Sequence, residues 1–79
     1  MGVSVSEVEC YYLVTTSTAE PSVYHSLVDA ASAIQSVIVL HEGRGYETER
    51  KPSGRYMSKH PENPPVIFWI ENETGAVVS

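Results

Sequence analysis

One stretch of this chain, from Ser26 to Gly43, has apolar residues at helical spacing, and the segments around it have the patterns of strands and turns. Ser26 suits an N-cap, since its hydroxyl can accept a hydrogen bond from a first-turn amide, and Asp29 adds a negative charge near the positive end of the helix dipole. Gly43 is expected to end the helix with a positive φ. Residues 37–40 alone would suit a strand, but continuity with the capped segment favours a single amphipathic helix.

The two most apolar strands are predicted at 8–16 and 66–71. In the first, alternation is taken to place Tyr12 and Val14 on the core side, although the opposite side is also partly apolar. In the second, VIFWIE, both sides are apolar, so this strand is expected to be buried or to lie in an interface.

The segment 45–59 is predicted to form a β-hairpin, because its turn has a proline that presets one φ angle and a glycine that frees another. Residues 60–65 contain three prolines and are predicted to be a loop, neither helix nor strand. Residues 22–25 form either a short strand or an extended lead into the helix, and 76–78 a last edge strand.

The chain has 79 residues, which suits one domain over 1–79, with the small polar residues 1–7 disordered. One helix with four or five short strands predicts an α+β fold of two layers, the helix packed on a mostly antiparallel sheet. The predicted core consists of Tyr12, Val14, Leu27, Ala30, Ile34, Val37, Ile38, Val66, Phe68 and Ile70.

The charges are unevenly distributed along the chain. The net charge is −5, yet all five basic residues lie between positions 44 and 59, together with the acidic Glu47 and Glu49. These residues could form a solvated hairpin in which the two glutamates pair across the strands. Alternatively, the hairpin is a positive patch for a phosphate backbone or an acidic protein surface. The acidic remainder allows a third mode, in which carboxylates imitate phosphates in the basic groove of a partner.

Partner-binding residues are expected in and beside this hairpin. Its two tyrosines flank the turn and are placed to stack on bases, and Trp69 suits either the core or an interface. If the helix covers one sheet face only, Ile67 and Trp69, with Tyr11 and Leu13, would form an exposed apolar patch that favours dimerisation or partner binding. The predicted partner-binding residues are Arg44, Tyr46, Arg50, Lys51, Arg55, Tyr56, Lys59 and Trp69.

No motif predicts catalysis or a cofactor. Cys10, His25, His41 and His60 lack the spacing of a zinc site, so neither a metal nor another cofactor is expected. Cys10 beside His25 or His41 is the one candidate nucleophile pair, but a cysteine on a strand more commonly fills the core. The protein is therefore predicted not to be an enzyme. The absence of a signal peptide and of a long apolar run predicts a cytoplasmic protein without membrane contact.

The outline of the chain resembles the small proteins encoded by phages and mobile elements, anti-CRISPR proteins among them. The resemblance is carried by the opening strand VECYYLVTT, the helix that begins SLVDAASAI and the strand-rich ending VIFWIENETGAVVS. It implies a non-enzymatic inhibitor that binds a larger host defence complex and blocks its nucleic-acid site or its nuclease recruitment. The protein itself is expected to be a monomer or a homodimer. The alternative is a small nucleic-acid-binding protein that uses the basic hairpin at 44–59.

Overall fold

In a computed structural model, which describes residues 9–78, one helix lies on one face of a six-stranded sheet. The predicted α+β architecture is confirmed, whereas residues 1–7, predicted to be disordered, lie outside the described residues. The helix α1 is too short and too polar to cross a membrane, and residues 9–78 contain no other helix. The elements are β1 (Tyr11–Thr15), β2 (Ser22–Tyr24), α1 (Leu27–Gly43), β3 (Glu47–Arg50), β4 (Tyr56–His60), β5 (Asn63–Glu71) and β6 (Val77–Val78).

The sheet has the order β2-β1-β5-β4-β3, and every pair of neighbours is antiparallel. The short strand β6 pairs with Ile70 and Glu71 on the edge of β5 opposite β1. It lies on the same edge as β4, beyond the end of β4. The chain passes from β2 at one edge through α1 to β3 at the other edge. The helix therefore crosses one whole face of the sheet and leaves the opposite face to the strands alone.

The caps of α1 show why the helix begins and ends where it does. Ser26 is the N-cap as predicted, and its Oγ accepts a hydrogen bond of 3.1 Å from the amide of Asp29. The prediction that Gly43 follows the helix with a positive φ is wrong, since Gly43 is its last residue. Gly45, at φ +89°, takes that position. The amide of Tyr46 then donates to the carbonyl of His41 at 3.0 Å, which completes a Schellman motif.

The core lies between α1 and the middle of the sheet. Four of the predicted core residues are confirmed as buried, and Val37, Ile38 and Val66 pack around them. Leu27 is 40% exposed, contrary to prediction, because it lies in the first turn at the margin of the contact between helix and sheet. The buried apolar residues are Leu13, Ala30, Ile34, Phe68 and Ile70.

The prediction that Tyr12 and Val14 face the core is wrong. Leu13 is 7% exposed and Tyr11 packs against the same cluster, so these two residues of β1 face the helix. Tyr12 and Val14 are half-buried on the opposite side of the strand. Because both sides of this strand are apolar, alternation alone does not decide which side faces the helix.

The prediction of a loop over 60–65 is also wrong, because β4 reaches His60 and β5 begins at Asn63. The register pairs Ser58 with Val66 and His60 with Asn63, so Pro64 and Pro65 form a β-bulge opposite one residue of β4. A bulge leaves backbone groups without ladder partners, and a proline, which lacks an N–H, is tolerated there.

The hairpin predicted at 45–59 is confirmed, and its strands pair from Glu47 with Lys59 to Arg50 with Tyr56. The turn is closed by a hydrogen bond of 2.9 Å from the amide of Gly54 to the carbonyl of Lys51, with Gly54 at φ +90°. The short strand that was one of two alternatives for 22–25 is present as β2.

Phe68 has no exposed surface and lies at the centre of the core. We expect Phe68→Ala to lower the free energy of unfolding by about 3–5 kcal/mol, because it removes a large apolar group and leaves a cavity. Urea denaturation measures this difference. Val28→Ala is the control: Val28 is 75% exposed, and its truncation should change stability by less than about 0.5 kcal/mol. Equal losses in the two variants would contradict the assignment of the core.

Alanine substitutions at Gly43 and Gly45 should change the stability of the protein in opposite directions. An alanine methyl at position 43 meets nothing within 4 Å, so Gly43→Ala should stabilise the helix by up to about 1 kcal/mol. Gly45 has φ +89°, where a side chain is strained, so Gly45→Ala should destabilise the protein by roughly 1–2 kcal/mol. Thermal melting of both variants checks the signs, and a shift in the same direction would contradict this helix end.

Candidate functional site

The sheet face that α1 does not cover carries a continuous apolar surface, which we call the open face. Residues next to the core-facing Leu13, Phe68 and Ile70 point to this side, and the strand registers align them in rows. Its apolar residues are Tyr12, Val14, Val23, Met57, Ile67, Trp69 and Val77, and its charged residues are Glu47, Glu49, Arg55, Lys59 and Glu71.

Trp69 lies at the centre of the open face and is half-buried. Its indole Nε1 donates a hydrogen bond of 2.8 Å to Oε2 of Glu71, two residues along the same strand. The guanidinium carbon of Arg55 lies 4.8 Å from the centre of the ring, a cation–π contact. The indole ring is thus held from two directions, and Trp69 lies on the open face and not in the core.

The charges of the open face are balanced. Glu49 forms an ion pair with Lys51 of the adjoining turn, and this pair is the only one within residues 9–78. The hydrogen bond and the charge of Lys51, followed by the charge of Lys59, lower the pKa of Glu49 below its ordinary value. Glu49 therefore pairs with a residue of the turn that follows its own strand, not across to Arg55 or Lys59. With Lys51 included, the open face carries three basic and three acidic residues.

Four of the eight predicted partner-binding residues come together here. Arg55, Lys59 and Trp69 belong to the open face, and Lys51 adjoins it through its ion pair. Tryptophan and arginine are the residues most enriched at the energetic centres of protein interfaces. The composition of this patch is therefore that of an interface centre with a charged border.

The other four predicted residues lie elsewhere. Arg44 is the C-cap of α1, and Tyr46 packs its ring against two histidine rings. Arg50 pairs with Tyr56 in the hairpin, and alternation places both on the helix side of the sheet. The ring of Tyr56 is stacked parallel to Phe68, with 5.5 Å between the ring centroids. The two tyrosines thus use their rings within the fold.

Sequence reasoning missed several residues of the open face. Tyr12 and Val14 were assigned to the core, and the apolar patch was drawn with Tyr11 and Leu13 in their place. Met57, Glu71 and Val77 were not singled out. The available signal was that both sides of 66–71 are apolar although the sequence predicts only one helix, which can cover one face of a sheet.

A buried polar cluster joins the end of α1 to the sheet. His41 Nδ1 lies 2.8 Å from Ser58 Oγ, which lies 2.8 Å from Thr48 Oγ1. A histidine beside a serine suggests a nucleophile and its base, but Ser58 has no exposed surface, so a substrate cannot reach its hydroxyl. The cluster instead satisfies the polar groups of the core and fastens α1 to β3 and β4.

The fold brings Cys10 and His25, a candidate nucleophile pair predicted from the sequence, into only loose contact. Cys10 Sγ and His25 Nδ1 are 3.9 Å apart, and the amide of Cys10 donates to the carboxylate of Glu73 at 3.2 Å. His41 lies in the buried polar cluster, not beside Cys10. Among the residues that the structure describes, no three histidine, cysteine or acidic side chains are grouped as a metal ion requires.

No protein-family model, curated protein or solved structure matches this chain.

Burial, and to a lesser degree the charge of Arg44, lower the pKa of His41 below the 6.5 of an exposed histidine. As the pH falls, the unfolded chain therefore takes up this proton before the folded protein does. The stabilisation that neutral His41 contributes to the folded protein is complete above about pH 6.5. It is lost as the pH falls through the lower pKa of His41 in the folded state.

We expect the free energy of unfolding to decrease more between about pH 7 and pH 5 in the wild type than in His41→Gln, which cannot titrate. Urea denaturation at several pH values measures both proteins. Both retain His25 and His60, so the difference reports on His41 alone. Parallel pH profiles would show that His41 is not the group responsible.

Proposed function

We propose that this protein is a non-enzymatic interaction protein that binds a larger protein partner through its open face. The observation that carries the proposal is the arrangement around Trp69: a half-buried indole, held by Glu71 and Arg55, at the centre of an apolar patch with charged borders. A preorganised aromatic residue loses little freedom on binding and contributes strongly once water is excluded around it.

The resemblance to anti-CRISPR proteins supplies the proposed partner class, a host defence complex whose nucleic-acid site or nuclease recruitment the protein blocks. Such a partner would be met in the cytoplasm. The balanced border of the open face favours a protein surface of mixed charge. Direct binding of nucleic acid by the hairpin is disfavoured, because Lys51 is paired with Glu49 and both tyrosine rings are packed within the fold.

The proposal is tested by affinity capture from a host lysate, with and without nuclease, followed by mass spectrometry. A protein complex retained after nuclease treatment, and lost with Trp69→Ala, is expected. Truncation of a central tryptophan costs about 2 kcal/mol or more, roughly a thirtyfold loss of affinity. If every partner is lost on nuclease treatment, the protein binds nucleic acid and the proposal fails.

A matched pair of double variants separates the open face from the hairpin as a whole. Arg55→Ala with Lys59→Ala should weaken capture, because both residues lie on the open face, Arg55 over the ring of Trp69 and Lys59 opposite Glu47. Arg44→Ala with Arg50→Ala removes the same charge away from this face and should leave capture unchanged. Equal weakening by both pairs would point to the general charge of the segment 44–59 and against the open face.

A further inference from the structure

We propose that a second copy of this chain covers the open face when no partner is bound, in a symmetric dimer where Arg55 of each protomer meets Glu71 of the other. The inference rests on the proposed function in one respect, that the open face is a protein interface. It goes further by naming the occupant and the two side chains that recognise each other.

The distribution of charge points to a second copy. The whole chain carries a net charge of −5, so two molecules repel each other in most orientations. The open face with Lys51 has equal numbers of acidic and basic residues, so the negative charge lies on the remainder of the surface. Two copies therefore repel each other less when they approach through this face than through the acidic remainder.

The positions of Arg55 and Glu71 suit a two-fold axis. Both contact Trp69: Arg55, the residue before β4, lies over its ring, and Glu71 on β5 accepts a hydrogen bond from its Nε1. Within residues 9–78, Arg55 has no carboxylate within 4.0 Å. Oε1 of Glu71 likewise accepts no hydrogen bond there. A guanidinium and a carboxylate oxygen, each available beside the same ring, form two identical ion pairs when a two-fold axis brings the faces together.

The size of the open face sets the strength of this dimer. Strand and residue spacings give a patch of about 20 Å by 20 Å, or roughly 400 Å². This is about half of the ~800 Å² that each partner contributes to a stable interface of standard size. Interfaces of this size are typical of weak contacts, so the dimer should be weak and a larger partner can displace the second copy.

The outer side of α1 is the other exposed apolar surface, with Val28, Val39 and Leu40 at 75%, 67% and 50% exposure. It lacks an arrangement of opposite charges that would select an occupant. We therefore assign the second copy to the open face.

Sedimentation over a concentration series tests the dimer with charge reversals. Arg55→Glu and Glu71→Arg should each weaken self-association about tenfold or more, because each places like charges against one another. The two variants should associate when mixed, since every acidic residue then meets a basic one. Arg50→Glu changes the net charge as Arg55→Glu does, but lies off the open face, and should dimerise like the wild type.

A wild-type protein that stays monomeric up to about 1 mM would overturn the proposal, as would equal effects of Arg55→Glu and Arg50→Glu. Single variants that fail to associate when mixed would exclude the Arg55–Glu71 pairing. If Glu71→Arg does not fold, which thermal melting reveals, Glu71→Gln removes the charge and should still weaken dimerisation. If Trp69→Ala abolishes capture of the partner but the wild type is a monomer, only the dimer is refuted. If the wild type is a dimer but Trp69→Ala does not affect capture, only the proposed function is refuted.

Discussion

The packing of α1 onto Phe68 is the contact on which the rest of this molecule depends. Ala30 and Ile34 of the helix and Leu13 and Ile70 of the sheet close around that ring and leave it no exposed surface. A chain of 79 residues has room for one such layer. Because a single helix covers a single face, the other face of the sheet must present its side chains outward, and in this protein many of those side chains are apolar.

Local chemistry predicted most of the fold. The Ser26 cap, the hairpin turn and the apolar run of β5 all act within a few residues, so the sequence indicates them directly. The errors concern features that depend on distant neighbours. Which side of β1 faces the helix depends on how it pairs with β5, more than fifty residues away. The two consecutive prolines are compatible with a strand only because a bulge forms opposite them.

The same distinction applies to the candidate site. The basic cluster and Trp69 were visible as residue types, but not which of them share a surface. Arg55 and Tyr56 are consecutive in sequence, yet at the start of β4 they point to opposite sides of the sheet. The sequence did not indicate a role for Glu71, because that role depends on the position of its carboxylate beside the indole of Trp69. A charge pattern along the chain therefore shows which residue types are present. The pleat of the strands decides which of these residues face the interior and which face the surface.

The prolines of β5 have one more consequence, for solubility. Near Asn63 the strand extends beyond β1, and no strand of residues 9–78 pairs with that edge there. An unpaired edge of a central strand is a template on which a strand of another molecule can add, the first step toward fibrous aggregates. Pro64 and Pro65 have no N–H to offer such a strand, and the bulge bends the edge out of line. The protein can therefore leave one sheet face open while this sheet edge resists growth.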